Sequence, residues 1–359
     1  MKIIILAPEN DSHTLSIKWA LEHAGYEVVC WAGLAWDQER QASLFLGDDV
    51  EVILGKHTVE PGDVVWIRRP EQPLPNPDVS EADKKFAETE YRSFYLNIAY
   101  LLERLPVWVI NRYSASRMIN NKSVQLLVAR DCGLLIPGAL MSNEPPAVKD
   151  FLAQRENRRT IYKSFSPHIW NKQSTHAVAV TRAAELSRKQ LPADHVLTYA
   201  PGIYQEMVLK QFDVRMVLMG SRIYSYSVRT PKDDLDWRYD AAKGKAVIDR
   251  IVTPTDVEKS VLAFARQFGV CFGSLDFAVD MNGKWWFLEI NEQGQFLWLD
   301  QANPELRVLE KFCSFITAAE GSTQPLEERE GLFPSLAEYQ QMTVPTAVAG
   351  SPQYVSTEP

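Results

Sequence analysis

Short apolar runs alternate with helical stretches in the first third of the chain. One helical stretch ends at Gly25, and an acidic helix is predicted over about residues 80–105. The strands predicted around them are residues 3–7, 26–31, 64–67 and 107–110. This alternation predicts a small α/β domain with a mostly parallel sheet over residues 1–112. No glycine-rich fingerprint follows the first strand, so the domain is not an ordinary dinucleotide-binding unit.

A lysine is predicted in the first turn of the next helix. The pattern over residues 120–132 predicts this helix, with Asn120 or Asn121 as the N-cap and Gly133 as the C-terminal stop. Lys122 falls in its first turn, where a cation is unfavourable against the helix dipole unless lysine and helix end together hold an anion. An ordinary surface lysine is the alternative.

A second lysine lies inside an apolar strand. Residues 160–165 predict a strand in which Lys163 stands between Tyr162 and Ser164, an unusual place for an unpaired cation. A hairpin follows further along the chain, and its alternation places Asp213 and Arg215 on one face. These two side chains could form an ion pair along the strand or reach into the same cleft.

The C-terminal part contains a second hairpin, over residues 273–298. The Asn282-Gly283 dipeptide predicts a two-residue type I′ turn, and in that register the numbers of paired residues sum to 565. Asp276 is then opposite Glu289, with Asn291 two residues further along the same face. The opposite face is predicted to be apolar, with Leu275, Phe277, Val279, Trp286, Leu288 and Ile290.

The predicted carboxylate pair has a chemical consequence. Directly opposed residues have Cβ atoms about 4.5–5.5 Å apart, so Asp276 and Glu289 repel unless a positive charge lies between them. Together with Asn291 they offer only oxygen ligands, which suit Mg²⁺ completed by substrate phosphates. In this register Trp285 and Phe287 share the acidic face, which indicates a cleft. The alternative is two solvated acids on an exposed strand.

Composition excludes several classes of protein. The chain has 359 residues, 46% hydrophobic and 23% charged, which is ordinary for a globular protein. A net charge of −8 argues against a nucleic-acid or anionic membrane surface, although it permits a local basic pocket. The cysteines are too widely spaced for a disulfide framework or zinc site: Cys30, Cys132, Cys271 and Cys313.

The same composition predicts a cytoplasmic location. The opening apolar run is too short for a signal-peptide core, and no segment has the length of a transmembrane helix. After Glu320 the chain becomes rich in Gly, Ser, Thr and Pro. Residues 319–359 are therefore predicted to be a flexible tail, with a possible short helix near residues 336–341.

The order of these features resembles the ATP-grasp ligases over roughly residues 1–318. The resemblance implies an α/β and α+β ATP-grasp fold with an N-terminal α/β (pre-ATP-grasp) domain over residues 1–112, a central subdomain over 113–200 and a C-terminal subdomain over 201–318. It also implies ATP and Mg²⁺ as cofactors. The residues that match the family's ligands are Lys122 and Lys163 for phosphate, Gln205, Glu206, Met207 and Val208 for adenine, and Asp276, Glu289 and Asn291 for Mg²⁺.

A closer similarity is to the maturases of graspetides, the microviridin-type peptides cross-linked by side-chain esters or amides. The stretches that carry it are 66–70, the 121–133 helix, 210–215 with its Asp-x-Arg, 236–238, and Glu-Ile-Asn followed by Gly294-Gln295 and Trp298. The resemblance implies a precursor peptide with leader and core as substrate, and a homodimer. It assigns Arg215 and Arg238 to the phosphoryl group and tetrahedral intermediate, with Asp213 orienting Arg215 or contacting substrate.

The chain departs from that pattern at two places: residues 291–295, and the tail beyond about residue 320, which extends past the usual end of those enzymes. Those enzymes commonly show Asn-Pro-Asn-Gly-Gln where this sequence has residues 291–295 as Asn-Glu-Gln-Gly-Gln. Two other functions stay open: a carboxylate–amine ligase for a small molecule or protein tail, and a non-catalytic nucleotide-binding protein. No glycine occurs between Lys163 and Pro201, which favours the maturase over ligases with a glycine-rich loop there. The basic run 155–159 could contact a peptide or be a solvated face.

Overall fold

A computed structural model describes residues 1–155, 158–166, 168–172, 177–181, 183–231, 235, 237–238, 241, 243–318 and 331–343. Its strands are β1 (Lys2–Leu6), β2 (Glu27–Trp31), β3 (Ala42–Leu46), β4 (Val50–Leu54), β5 (His57–Thr58), β6 (Val64–Ile67), β7 (Trp108–Ile110), β8 (Ala139–Ser142), β9 (Thr160–Lys163), β10 (Ile169–Lys172), β11 (Ala177–Val180), β12 (Ala184–Leu186), β13 (Gly202–Glu206), β14 (Lys210–Met219), β15 (Arg222–Arg229), β16 (Val247–Ile251), β17 (Phe272–Asp280) and β18 (Trp285–Asn291). Its α-helices are α1 (Ser12–His23), α2 (Lys84–Leu102), α3 (Tyr113–Ile119), α4 (Lys122–Asp131), α5 (Pro145–Ala153), α6 (Asp194–Leu197), α7 (Thr255–Phe268), α8 (Trp298–Ala302), α9 (Val308–Ile316) and α10 (Leu336–Thr343).

The N-terminal domain contains the parallel sheet that the sequence predicts. Its strand order is β2-β1-β6-β7, and every neighbouring pair is parallel. Side chains alternate between the two faces of a strand, so Ile3 and Ile5 pack towards α1 and α9 while Ile4 and Leu6 pack towards α2. Both faces of the sheet are therefore covered, as parallel sheets require.

A small antiparallel sheet, β3-β4-β5, is inserted between β2 and β6. The sequence analysis predicted no element there. Phe45 and Leu46 are exposed in β3, so the strand lacks a continuous apolar face and its pattern is weak.

The rest of the described strands form a two-stranded antiparallel sheet, β10-β11, and two larger antiparallel sheets. One has the order β12-β9-β13-β8, and the other has the order β16-β15-β14-β17-β18. Strand β13 belongs to the first sheet, although the sequence analysis placed it beyond residue 200 with the C-terminal subdomain. Helices α4 and α7 cover one face of the five-stranded sheet, where Phe287 packs on Phe264 and Phe277. On the other face, Val217 and Met219 pack with α9, whereas Arg215 pairs with Asp276.

The β17–β18 hairpin confirms the predicted pairing of Asp276 with Glu289 but not the predicted turn. The type I′ turn is wrong, because three residues, 281–283, connect Asp280 to Lys284. The Asp280 carboxylate accepts from the amides of Asn282 and Lys284, which stabilises this longer connection. One extra residue, Leu288, then restores the predicted register beyond Phe287.

Between the turn and the bulge, the side chains of β18 therefore point to the opposite faces from those predicted. Trp285 and Phe287 lie in the apolar core with Phe277, not on the acidic face. Trp286 and Leu288 are half-buried outside that core, and the Trp286 indole donates to Asp280. The aromatic argument for a cleft beside the two acids was therefore wrong, although the acids themselves face each other.

A buried amide connects the N-terminal sheet to the five-stranded sheet. The Asn111 side chain donates to the carbonyl of Phe272 (2.7 Å) and accepts from the amides of Cys271 (2.8 Å) and Phe272 (3.0 Å). Because these groups are inaccessible to water, each bond also prevents an unsatisfied polar group. The end of β7 is thus fixed to the start of β17.

Part of the predicted tail is packed on the N-terminal domain. Within residues 331–343, Phe333 stacks on Tyr26 with ring centroids 6.2 Å apart, and Tyr339 contacts Trp19 at 5.3 Å. For this segment the structure differs from the flexible tail expected from composition, because its aromatic side chains bury apolar surface. Residues 319–330 and 344–359 lie outside the described residues. Over the described ranges, no helix is long and apolar enough to cross a membrane.

Replacing Phe333 with Ala should lower the free energy of unfolding by about 3 kcal/mol, because a buried aromatic ring is lost from the main core. Phe333 is 5% exposed, whereas its neighbour Leu332 is 63% exposed. The matched variant Leu332→Ala should change the free energy by less than about 0.5 kcal/mol. Urea unfolding measures both, and equal effects would contradict the packing of this segment.

Candidate functional site

Each oxygen of the carboxylate pair faces a cationic nitrogen. Asp276 accepts from Arg215 Nη1 at 2.8 Å and from Arg238 Nη2 at 2.9 Å. Glu289 accepts from the same Arg238 nitrogen at 3.1 Å and from Lys122 Nζ at 2.8 Å. The repulsion expected from the sequence is therefore neutralised by three side chains: Arg215 of β14, Lys122 of α4, and Arg238, which lies between β15 and β16.

These cations keep Glu289 ionised. Burial by itself raises the pKa of Glu289, but Lys122, Arg238 and Lys163 outweigh it and hold the pKa at about 2. Opposite charge within hydrogen-bond reach favours the ionised form of a carboxylic acid. The site thus presents two carboxylates and a surplus of positive charge, which suits a polyanion accompanied by a divalent cation.

Lys122 begins α4, as the sequence predicts. Asn121 is the N-cap residue in extended conformation, and Gly133 follows the helix with a φ of 89°. Lys122 is therefore the first residue of α4, and its ammonium group donates to Glu289 of β18.

Lys163 lies on the facing four-stranded sheet. Its Nζ donates to Gln205 Oε1 at 2.8 Å, since β9 and β13 are adjacent antiparallel strands. Burial lowers the pKa of Lys163, and Arg238 and Lys122 lower it further, while Glu289 acts in the opposite direction. Lys163 and Gln205 are brought together, as expected of two residues that meet one ligand.

The other expected adenine-pocket residues have separate surroundings. Glu206 ends β13, and its carboxylate accepts from Arg155 Nε at 2.8 Å and Arg158 Nη1 at 2.9 Å. Met207 and Val208 follow the strand and are half-buried. The basic run is therefore engaged in ion pairs within the chain.

Asp213 and Arg215 share a face of β14 but have different partners. The ion pair of Asp213 is with Lys210, at 2.6 Å, and that of Arg215 is with Asp276. Arg215 thus pairs with a residue directly opposite on the neighbouring strand β17. Asp236 lies outside the described residues.

The donor set fits a hard cation. Asn291 is paired with Ser274 on the acidic face, and its Oδ1 accepts only a long bond, 3.2 Å, from the amide of Gln293. Over the described ranges, no cluster of three or more His, Cys, Asp and Glu side chains is arranged to hold a metal. A magnesium ion at this position would rely on Asp276, Glu289 and the Asn291 amide oxygen, with phosphate oxygens as further ligands.

Two buried arginines hold the loop after β18: Arg215, which is a predicted site residue, and Arg68, for which no role is predicted from the sequence. Arg68 is fully buried, and its Nη1 donates to the carbonyl of Gln293. Burial lowers the pKa of Arg68 to about 10, partly offset by Asp11. Arg215 donates to the Gln295 carbonyl at 2.8 Å. The only signal in the sequence was the motif at residues 66–70, which gave no role for Arg68.

A buried histidine holds the same loop from the other side. His13 Nε2 accepts from the amides of Phe296 (3.0 Å) and Leu297 (3.2 Å). Burial and then the nearby Arg68 lower the pKa of His13 to about 3, so the ring is neutral at pH 7 and its Nε2 lone pair is free to accept.

This histidine should make stability depend on pH. The folded pKa of about 3 is below the unfolded value of 6.5, so the unfolded chain binds the extra proton and stability falls as the pH drops through that range. His13→Gln should reduce this slope by up to about 1.4 kcal/mol per pH unit. Urea unfolding between pH 7.5 and 5 measures it, with exposed His195→Gln as the control. Identical slopes for wild type and His13→Gln would refute it.

Comparison with known proteins gives the fold. No protein-family model matches the sequence, and no curated protein matches it significantly. Among solved structures, macrocyclase MdnC from Microcystis aeruginosa MRC, bound with precursor peptide MdnA, has a TM-score of 0.71 at 22% identity and covers 88% of this chain and 99% of its own. A Chryseobacterium gregarium RiPP-associated ATP-grasp ligase, in complex with ADP and a leader and core peptide, has a TM-score of 0.76 at 19% identity, with 91% and 99% covered.

A third structure, the ATP-grasp ligase PsnB with a phosphomimetic variant of its minimal precursor, Mg and ADP, has a TM-score of 0.62 at 24% identity, with 86% and 97% covered. This chain has the ATP-grasp fold. The likeness extends over nearly the whole of each neighbour, which includes the N-terminal parallel sheet. In this ATP-grasp fold, Lys163 and Gln205 belong to one antiparallel sheet, and Asp276 and Glu289 belong to the other.

Proposed function

We propose that this protein is an ATP-dependent ligase that joins side-chain carboxylates of a ribosomal precursor peptide to Ser or Thr hydroxyls or Lys amines. The observation that carries the proposal is the Asp276–Glu289 pair surrounded by Lys122, Arg215 and Arg238 in an ATP-grasp fold. The precursor peptides bound by MdnC, PsnB and the Chryseobacterium ligase support a peptide as the substrate.

The chemistry explains the surplus of positive charge. A carboxylate is a poor electrophile at neutral pH, so one of its oxygens must first become a leaving group. Transfer of the γ-phosphoryl group of ATP to that oxygen releases ADP and gives an acyl phosphate. Phosphoryl transfer depends mainly on positioning and charge neutralisation, for which Lys122 and Lys163 are placed. Bound Mg²⁺ would add further neutralisation of the phosphate charge.

Bond formation follows at the acyl carbon. A hydroxyl or amine of the peptide attacks, loses a proton and displaces inorganic phosphate, so that the peptide loses one water in total. Arg215 and Arg238 are suited to stabilise the phosphoryl group and the oxyanion, because guanidinium groups bind such oxygens with directed bonds. Asp213, which forms an ion pair with Lys210, would contact the substrate from the same face of β14 as Arg215. Water must be excluded from the acyl phosphate, or it hydrolyses.

The proposal extends to location and assembly. A cytoplasmic location is predicted from the composition and a homodimer from the resemblance described above, and both stay predictions.

Incubation with ATP, Mg²⁺ and a candidate precursor peptide should lower the mass of the peptide by about 18 Da for each bond, as the loss of one water requires. Such a peptide would be encoded beside the gene and would carry Thr, Ser or Lys together with Asp or Glu near its end. Mass spectrometry distinguishes the alternatives: a gain of an amino acid indicates a carboxylate–amine ligase. No mass change with any neighbouring peptide, despite nucleotide binding, would favour a non-catalytic nucleotide-binding protein.

Replacing Glu289 with Gln should reduce turnover by at least about 100-fold while the fold is retained, because the variant removes one charge from the cation site but preserves size. Glu185→Gln is the matched control, since Glu185 is also paired with an arginine, Arg159, on another sheet. The control should keep wild-type activity. Unchanged turnover in Glu289→Gln would show that the metal assignment is wrong.

A further inference from the structure

Residues 120–125, at the start of α4, are joined to residues 289–292, at the end of β18, by three pairs of residues in polar contact. Asn120 Nδ2 donates to Glu292 Oε1 at 3.0 Å, and Lys122 Nζ donates to Glu289 Oε2 at 2.8 Å. The third contact is made by Gln125, which has no part in the roles assigned above. The candidate phosphate lysine and the candidate metal ligands are therefore parts of one connected unit.

Gln125 uses its whole amide group. It is 1% exposed, and its Oε1 accepts from the Ile290 amide at 3.2 Å while its Nε2 donates to the Ile290 carbonyl at 3.1 Å. Nε2 also donates to the carbonyl of Ile119 at 2.6 Å. The side chain therefore pairs with one residue of β18 as a peptide group of a neighbouring strand would.

This pairing occurs where the sheet needs it. Strand β18 is outermost in the five-stranded sheet, so its outer amides and carbonyls have no partner strand. At the other end of the strand, the Phe287 amide donates to the carbonyl of Leu135 at 2.8 Å. Gln125 supplies the hydrogen-bonding partner at the end of β18 that carries Glu289 and Asn291.

Ile290 is the residue between two candidate ligands. Its own side chain is buried in the core, so those of Glu289 and Asn291 point to the opposite face. Fixing the peptide groups of Ile290 therefore fixes the direction of both oxygen-bearing side chains. Gln125 is three residues after Lys122 on α4, so the same amide sets the distance between the lysine and the acids.

We propose that Gln125 is a positioning residue that aligns Glu289, Asn291 and Lys122 for the metal-bound nucleotide. The inference rests on the proposed role of these three residues at an ATP and Mg²⁺ site. It adds that one buried amide provides the alignment. Loss of either end of that amide removes a hydrogen bond to the backbone of Ile290, between the two candidate ligands. Outer-sphere partners of this kind commonly change metal affinity by about 10- to 100-fold when replaced.

Gln125→Met tests the inference, since methionine has similar length and good helix propensity but cannot pair with Ile290. The variant should raise the Mg²⁺ concentration needed for half-maximal ADP binding by about 10- to 100-fold. Hydrogen exchange at the Ile290 amide should become faster. ADP binding without Mg²⁺ should change less than ADP binding with Mg²⁺, because only Lys122 among the three aligned residues is proposed to contact the phosphates directly.

Val128→Ala is the matched control. Val128 is on the same helix and packs against the same core as Ile290, without belonging to the three polar contacts. Val128→Ala should lower the free energy of unfolding but leave the Mg²⁺ requirement unchanged. If Gln125 had only a structural role, Gln125→Met would also lower the free energy of unfolding without changing the Mg²⁺ requirement. If Gln125→Met does not fold, Gln125→Asn, which shortens the amide by one methylene, carries the same expectation. An unchanged Mg²⁺ requirement in the folded variant would overturn the inference.

The readouts also separate this inference from the proposed function. If the wild-type protein binds Mg²⁺ and ADP but links no peptide, the proposed ligase function is refuted. The role of Gln125 is then still decided by the Mg²⁺ requirement of Gln125→Met. Wild-type protein whose ADP binding is independent of Mg²⁺ would overturn the role of Gln125 directly.

Discussion

The repulsion between Asp276 and Glu289 is the constraint around which the site is built. Two carboxylates held face to face by adjacent strands need compensating charge, and Lys122, Arg215 and Arg238 supply it. A ligand that brings its own divalent cation can replace part of this compensation, which releases basic side chains for phosphate. If the proposed function is correct, this charge balance couples metal binding to nucleotide binding.

The hairpin shows how far sequence reasoning reaches. The pairing of Asp276 with Glu289 was predictable because side chains alternate strictly along strands. The turn was not, since the preference of Asn-Gly for a two-residue turn was overridden by the Asp280 carboxylate. The bulge at Leu288 restores the predicted register at the two acids but not at Trp285. The predicted pairing of Asp276 with Glu289 was therefore correct, whereas the predicted faces of Trp285 and Phe287 were wrong.

The remaining features depend on distant partners that no local pattern reveals. Gln125 and Ile290 are 165 residues apart, and Arg68 and Gln293 are 225 residues apart. A buried glutamine or arginine in sequence looks like an exposed one until the fold supplies its partner. Phe333 and Tyr339 are aromatic residues in an otherwise polar tail, and they pack on Tyr26 and Trp19. The polar composition of the whole tail led instead to the prediction of a flexible segment.

The four-stranded sheet that carries Lys163 and Gln205 has its own small core. That core contains Val148, Phe151, Leu152 and Tyr204, separate from the cluster beneath the acidic strands. A layer with an independent core can rotate as a rigid body about its connections while both cores stay intact. Entry and release of a ligand between the sheets would then be a hinge motion of this layer, with the N-terminal domain and five-stranded sheet as the fixed frame.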